Sequence, residues 1–197
     1  METMIDLNDL LKGLIGTTFP EAYEYQYYKC LGDNVILINS TIDDCFMESA
    51  ILPLMQMDKD PNVKEITILL NSDGGDIYIG FAIIPILESL STPTTLRIIS
   101  RALSMAGLIA MAKGKNLKVV CDKYSVGLIH AGSYYMEGNA CSVRDTFQFS
   151  QRYEEKIKQY ILSHTKITEE MYEKIERQEF WMDADDMLAY GIVDEII

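Results

Sequence analysis

Leu7, Leu10, Leu11, Leu14 and Ile15 recur at helical spacing, which predicts a short amphipathic helix at the head of the chain. The tyrosines of YEYQYY, at 23, 25 and 27, alternate as a half-buried strand would, and NVILIN at 34–39 predicts a second strand. Beyond them helix and strand patterns take turns. Asp43 and Asp44 precede the helical pattern CFMESAILPLMQM; strand EITILLN (65–71), helix YIGFAIIPILESL and strand TLRIIS (95–100) follow. A run of small and apolar residues around Ser104 leads on to strands LKVVC and SVGLIH (125–130). Such alternation predicts a mainly parallel sheet with helices packed on it, an α/β fold. Pro53 and Pro85 fall inside two of the helical patterns, where each is expected to kink the helix or cut it short.

After the last of these strands, Tyr153, Ile157, Tyr160 and Ile161 mark one face of a long helix from about Val143 to Ser163. Thr168 with Glu169 and Glu170 reads as the start of the next helix, since a side-chain oxygen and two acids suit the positive end of its dipole. Nothing resembling a linker breaks the pattern, so one domain over residues 1–197 is expected, with a helical extension.

Composition narrows what such a domain does. Apolar residues make up 48% and charged residues 24% of the chain, ordinary globular usage. A formal net charge of −13, spread as single carboxylates, repels phosphate backbones and anionic lipid heads, which argues against nucleic acid and membrane as partners. The opening METMIDLNDLLKGLIG carries acids where a secretory signal needs a basic region, and no apolar run reaches the ~18 residues of a membrane span, so a cytoplasmic location is expected. Cys30, Cys45, Cys121 and Cys141 show neither CxxC spacing nor histidines at metal-site distances; no metal and no disulfide framework is expected.

Candidate chemistry centres on RALSMAGLIAMAKG (101–114). Ser104 follows a strand and opens a helix, a position suited either to a nucleophile or to an ordinary helix-start serine. A nucleophilic serine needs a base, and the chain has two histidines. His164 ends the long helix, where imidazole commonly meets the last carbonyls. His130 closes the apolar strand GLIHAG, as a base or as a satisfied core histidine. Strand EITILLN breaks at Asn71-Ser72-Asp73-Gly74-Gly75, either a bare turn or one whose glycines present backbone N–H groups to a ligand.

Read together, NSDGG, ALSMAG, GLIHAG and FWMDADDMLAYGIVDEII resemble, in order and spacing, the ClpP family, the proteolytic subunit of the Clp protease, over roughly residues 33–197. The resemblance implies a ClpP/crotonase-like fold and a serine endopeptidase that cleaves unfolded polypeptides inside a ring chamber. In it Ser104 is the nucleophile, His130 the general base, and the N–H groups of Gly75 and Met105 form the oxyanion hole. Substrate lies as an extended strand beside Gly74, Asp76 and Ile77, held by main-chain hydrogen bonds. The chain associates with itself as heptameric rings, two of them stacked, through a handle at about 133–164, and receives substrate from a Clp-type AAA+ unfoldase. ATP is used by that partner, and this chain carries no cofactor.

Several positions depart from the family pattern, which has Asn-Ser-Pro-Gly-Gly at the turn and Gln-Pro after the histidine; here Asp73 and Ala131-Gly132 stand in those places. Counting back from YGIVD, the family's catalytic aspartate falls on Glu179 and the arginine often found before it on Gln178. The acid is kept and lengthened, making Glu179 the candidate third triad member. Residues before about Asn34 form a divergent N-terminal segment. Two other readings follow from the same residues. A catalytically weak or inactive ring subunit keeps the fold and handle while the triad drifts, and a crotonase-fold acyl-CoA enzyme uses the glycine turn without needing both Ser104 and His130.

Overall fold

The computed structural model describes residues 22–133 and 135–197; the helix predicted over 7–15 lies outside the described residues. The first described element is helix α1 (Ala22–Gly32), where YEYQYY predicts a strand. Three alternating tyrosines do not exclude a helix, and the residues between and after them, Glu24, Gln26, Lys29 and Leu31, are good helix formers. Tertiary contacts decide the outcome: Leu31 packs against the core, and the Tyr27 hydroxyl donates to the Ser49 carbonyl at 3.1 Å. Burial of the Tyr27 phenol raises its pKa.

That tyrosine contact also explains how Pro53 is accommodated. Proline has no N–H for the carbonyl four residues back, which is Ser49, and the Tyr27 hydroxyl supplies a donor there. The turn before the proline, Met47–Ile51, is wound as a π-helix, with the Leu52 N–H bonded to the Met47 carbonyl, and leads directly into α2 (Leu52–Lys59). Pro53 therefore marks a change of winding within one continuous helical segment. Pro85 neither shortens nor divides its helix, α3 (Ile77–Ser89); it sits on the exposed face, and the Ser89 hydroxyl donates to the Pro85 carbonyl.

Strands β1 (Val35–Ile38), β2 (Ile66–Ser72), β3 (Thr94–Leu103) and β4 (Leu117–Cys121) pair in that order, all parallel, and the two-residue β7 (Glu195–Ile196) adds to β4. In β2 buried and half-buried residues alternate, and Ile66, Ile68 and Leu70 join Ile36, Ile38, Leu96 and Ile98 in the core under α2 and α3. The α/β class with a mostly parallel sheet and packed helices agrees with the alternation of patterns along the chain.

The ten-residue β3 is distinctive because it changes partner along its length. Its first half, Thr94–Ile98, pairs with β4, and its last three residues, Arg101–Leu103, pair with β5 (Val126–Ile129). At the changeover the Ile98 carbonyl accepts from the Asp122 N–H at 2.9 Å and from the buried Ser125 hydroxyl at 2.8 Å. Strand β5 then pairs antiparallel with β6 (Phe180–Met182). The end of β3 thus carries a branch of the same seven-stranded sheet, β3–β5–β6, while Ala102 still pairs with Ser72 of β2.

Helix α4 (Met105–Ala110) leaves β3 at Ser104 and is buried along its whole length. The long helix α5 (Ala140–His164) begins three residues before the predicted start, with the Asn139 side chain accepting from the Cys141 and Ser142 N–H groups. Its last turns dock on the core through buried Ile161 and through Tyr160, whose hydroxyl donates to the Leu108 carbonyl and whose ring meets Phe81 edge-on. Burial holds the Tyr160 phenol far above its ordinary pKa. Thr168 caps α6 (Glu169–Ile175), as its position predicts, and Asp183 opens α7 (Ala184–Ala189) with a reciprocal capping box to Asp186.

Candidate active site

Ser104 occupies a turn with φ +53° and ψ −122°, outside the regions favoured by residues with a Cβ. Such a conformation costs about 1–3 kcal/mol and persists only where the surroundings over-determine it. Here the Ser104 N–H donates to the Leu128 carbonyl of β5 at 2.9 Å, and its own carbonyl accepts from the Leu108 N–H at 3.2 Å. The strand before it and the helix after it are thereby fixed independently, and the hydroxyl is thrust out at the junction. Small neighbours allow this: Ala102 and Ala106 are buried, and Gly107 backs onto the Leu128 and Ala102 carbonyls.

Strand β5 delivers the histidine. His130 follows its last residue, and His130 Nε2 lies 2.8 Å from Ser104 Oγ, with both side chains half-buried. Residues 26 positions apart in the chain meet because Leu103 and Leu128 are paired partners in adjacent parallel strands. A neutral imidazole unprotonated at Nε2 accepts the serine proton in this geometry.

The glycine turn after β2 forms the third side. Gly74 is buried at φ +94°, and a Cβ on it would stand 2.6 Å from the Leu103 carbonyl oxygen and 2.8 Å from Ser104 Cβ. Only a bare backbone passes beneath the serine. Gly75, at φ +151°, is pressed against Ile42 in the same way: a Cβ there would stand 2.2 Å from the Ile42 carbonyl oxygen. The turn's polar groups are largely spoken for: Ser72 Oγ donates to the Ser40 carbonyl and accepts from the Gly74 N–H, Ile42 N–H donates to the Gly74 carbonyl, and Asp76 N–H donates to the Ile42 carbonyl. The Asp76 carboxylate caps α3, accepting from Tyr78 N–H at 2.8 Å and Ile79 N–H at 3.0 Å. Gly74 and Asp76, two of the three residues expected to line a substrate strand, thus have these backbone and side-chain groups committed within the protein. By contrast, the N–H groups of Gly75, Ile77 and Met105 meet no acceptor among the described residues. Gly75 is exposed, and Met105 N–H is the first of α4, beside the serine.

Glu179 lies one residue before β6, as His130 lies one residue past β5. The antiparallel register sets Leu128 opposite Trp181 and Ile129 opposite Phe180; the next step places Glu179 across from His130. Residues facing each other across an antiparallel pair project to the same side, with Cβ atoms about 5 Å apart. The Glu179 carboxylate nevertheless accepts from the indole N–H of Trp181 at 2.9 Å, and no described residue bonds His130 Nδ1. Trp181 is 54% exposed and two residues on, hence on the same face of the strand. Sequence reading overlooks it, although the period of two that predicts strands points straight to it.

A second feature missed in the sequence is an ion pair at the edge of the site. Arg101, three residues before the serine, grips Asp73 with both arms: Nε to Oδ1 at 2.7 Å and an Nη to Oδ2 at 3.0 Å. His164 behaves as its helix-end position predicts, with Nδ1 2.8 Å from the Tyr160 carbonyl, and it also meets Glu88 at 2.9 Å. The four cysteines are free, and no group of three or more His, Cys, Asp or Glu among the described residues is placed to hold a metal ion. No helix among the described residues is long and apolar enough to cross a membrane.

Comparison with known proteins bears on the whole constellation. The family model for Clp protease matches residues 20–197, starting earlier than the motifs alone indicate. Among curated proteins, the chain is 29% identical over 178 residues to the ATP-dependent Clp protease proteolytic subunit of Streptococcus sanguinis (strain SK36), covering 87% of this chain and 88% of that one. The proteins of the same name from Lactococcus lactis subsp. cremoris (strain SK11) and Deinococcus radiodurans are 26% and 22% identical, again over 87% of this chain, and over 86% and 83% of their own. With a parallel α/β sheet, a serine at a strained strand–helix turn, and a family match that runs through the C-terminus, the chain belongs to the Clp protease family.

Proposed function

We propose that this chain is a serine endopeptidase subunit of a Clp-type protease, working through an acyl-enzyme on Ser104. The observation that carries the reading is the 2.8 Å contact between Ser104 Oγ and His130 Nε2, at a turn flanked by the N–H groups of Gly75 and Met105, which meet no acceptor among the described residues. His130 takes the hydroxyl proton as Ser104 attacks a peptide carbonyl, and the oxyanion that forms accepts from Gly75 and Met105 N–H. The same imidazole returns the proton to the leaving amine, leaving an ester on Ser104, and water then repeats the sequence in reverse roles. Glu179, across the strand pair from His130, is the group to fix the imidazole tautomer once its carboxylate turns from Trp181.

The remaining parts of the reading follow from the family. The relatives are named as subunits of an ATP-dependent protease, which supports assembly of this chain into rings, with α5 as the interlocking handle. It supports a Clp-type AAA+ unfoldase as partner, unfolded polypeptides as substrate, ATP consumed only by that partner, and a cytoplasmic setting. A second reading, a catalytically weak ring subunit, draws on one observation, the engagement of Glu179 by Trp181 in place of His130.

Labelling with a fluorophosphonate, followed by peptide mapping and a native mass measurement, tests both. The expected result is one covalent adduct, on Ser104, in a multi-subunit assembly. An adduct on another residue, or none on an assembled protein, overturns the protease reading; a monomer at micromolar concentration overturns the ring.

A further inference from the structure

Three parts of the active site come from separate stretches of chain, and one exposed contact ties two of them together. Gly75 carries one oxyanion N–H and stands in the turn after β2; Ser104 and Met105 stand at the end of β3. Pairing of these strands is interrupted just ahead of the site: the register is regular from Ile66 opposite Thr94 to Leu70 opposite Ile98, shifts, and resumes only at Ser72 opposite Ala102. Past that irregularity the turn is held to its main-chain neighbours by Ile42 on one side. On the other side is the two-pronged grip of Arg101 on Asp73, at 2.7 Å and 3.0 Å.

We infer that Arg101 and Asp73 are positioning residues for the oxyanion hole: their bidentate pair holds the Gly75 turn against the nucleophile's own strand. This rests on the reading of Ser104 and Gly75 as nucleophile and oxyanion donor. Asp73 is two residues before Gly75 and Arg101 three before Ser104, so the pair links the glycine turn to the strand that ends at the serine. The planar guanidinium matches a carboxylate in distance and orientation together, which sets a register where a lysine sets only a distance. Both side chains are substantially exposed, 45% and 65%, so the pair adds little to global stability. Its effect falls on alignment, where small displacements of reacting groups weigh heavily.

The test uses the assembled protein, an uncharged peptide substrate, and the rate of fluorophosphonate labelling at Ser104. Arg101→Gln is expected to lower kcat about fivefold, with KM within about twofold of the parent and the labelling rate falling in step. Asp73→Asn breaks the same pair from the other side and should match it. Raising salt from about 0.05 M to about 1 M should lower kcat in the parent and leave Arg101→Gln flat, since exposed charges are screened. Adding Asp73→Pro to Arg101→Gln should restore most of the loss, because proline stiffens the turn directly and the Asp73 N–H bonds no acceptor among the described residues. A parent labelled at Ser104 together with unchanged kcat in both single variants overturns the clamp alone. A raised KM at constant kcat overturns it in favour of a substrate contact. A parent that is not labelled at Ser104 overturns the catalytic reading and the clamp with it.

Discussion

The two halves of the candidate triad are built to different standards. Ser104 and His130 are held by long-range pairing between β3 and β5, flanked by a fully buried helix, and kept in register by a backbone bond from Ser104 N–H to Leu128. Glu179 sits in the open, ahead of a three-residue strand, with its carboxylate given to a surface tryptophan. Rigidity on one side costs backbone strain, which a packed neighbourhood sustains. Freedom on the other side leaves the acid's choice of partner to side-chain rotation. The result is a candidate site whose serine and histidine are preset and whose acidic side chain is adjustable.

The largest effect expected on that division is at the rigid side. Ser104→Ala should lower peptide turnover by ~10⁴-fold or more while leaving the assembly intact, as turnover and native mass together would show. Gly74→Ala comes next: a methyl at φ +94° collides with the Leu103 carbonyl and Ser104 Cβ. The strain should lower stability by about 2–4 kcal/mol, read as a fall in Tm, and should cut kcat more than KM.

On the adjustable side, Glu179→Gln should cost about 10²-fold in turnover, less than a buried triad acid loses, because the carboxylate is solvated and already shared. Turnover within about twofold of the parent would remove Glu179 from the mechanism and leave a Ser104–His130 pair. Trp181→Phe removes the indole N–H and frees the acid, so kcat should rise by about two- to threefold, which corresponds to about 0.5 kcal/mol, the low end for a hydrogen bond, as solvent competes for this exposed one. A fall would mean that the tryptophan positions the acid for His130. The smallest effect separates core from surface. Burial pushes the Cys121 thiol up to about 11, so with its folded pKa raised it stays protonated at neutral and mildly alkaline pH. Exposed Cys45 and Cys141 should therefore take up iodoacetamide at pH 8 while Cys121 stays unmodified until the protein unfolds.

Long apolar patterns are legible in the sequence itself. β2, β4, α3 and α5 fall within a few residues of where period two or period 3.6 places them, because each buries a face against the rest of the fold. Thr168 is readable as a cap for a similarly local reason, since the bond it makes spans three residues. YEYQYY is not readable, because five residues of alternation fit either period until Leu31 packs on the core and the Tyr27 hydroxyl finds the Ser49 carbonyl. Pro85 defies its sequence reading because its cost depends on the face it occupies, and here that face is outward.

In the site the same boundary recurs. Sequence alone determined the residue types and their order: a serine between small residues, a histidine ending an apolar strand, two glycines at a strand break, an acid near the C-terminus. Only the tertiary structure decided which of them touch. The change of partner along β3 brings His130 to 2.8 Å from Ser104, the β5–β6 register sets Glu179 opposite the histidine, and side-chain packing gives its carboxylate to Trp181. Arg101 and Asp73, 28 residues apart, are ordinary surface charges until strand pairing makes them neighbours. Local spacing encodes faces and caps because their energies come from bonds a few residues long. Distances across a site are set by where strands end and which strands they meet, and those are properties of the whole fold.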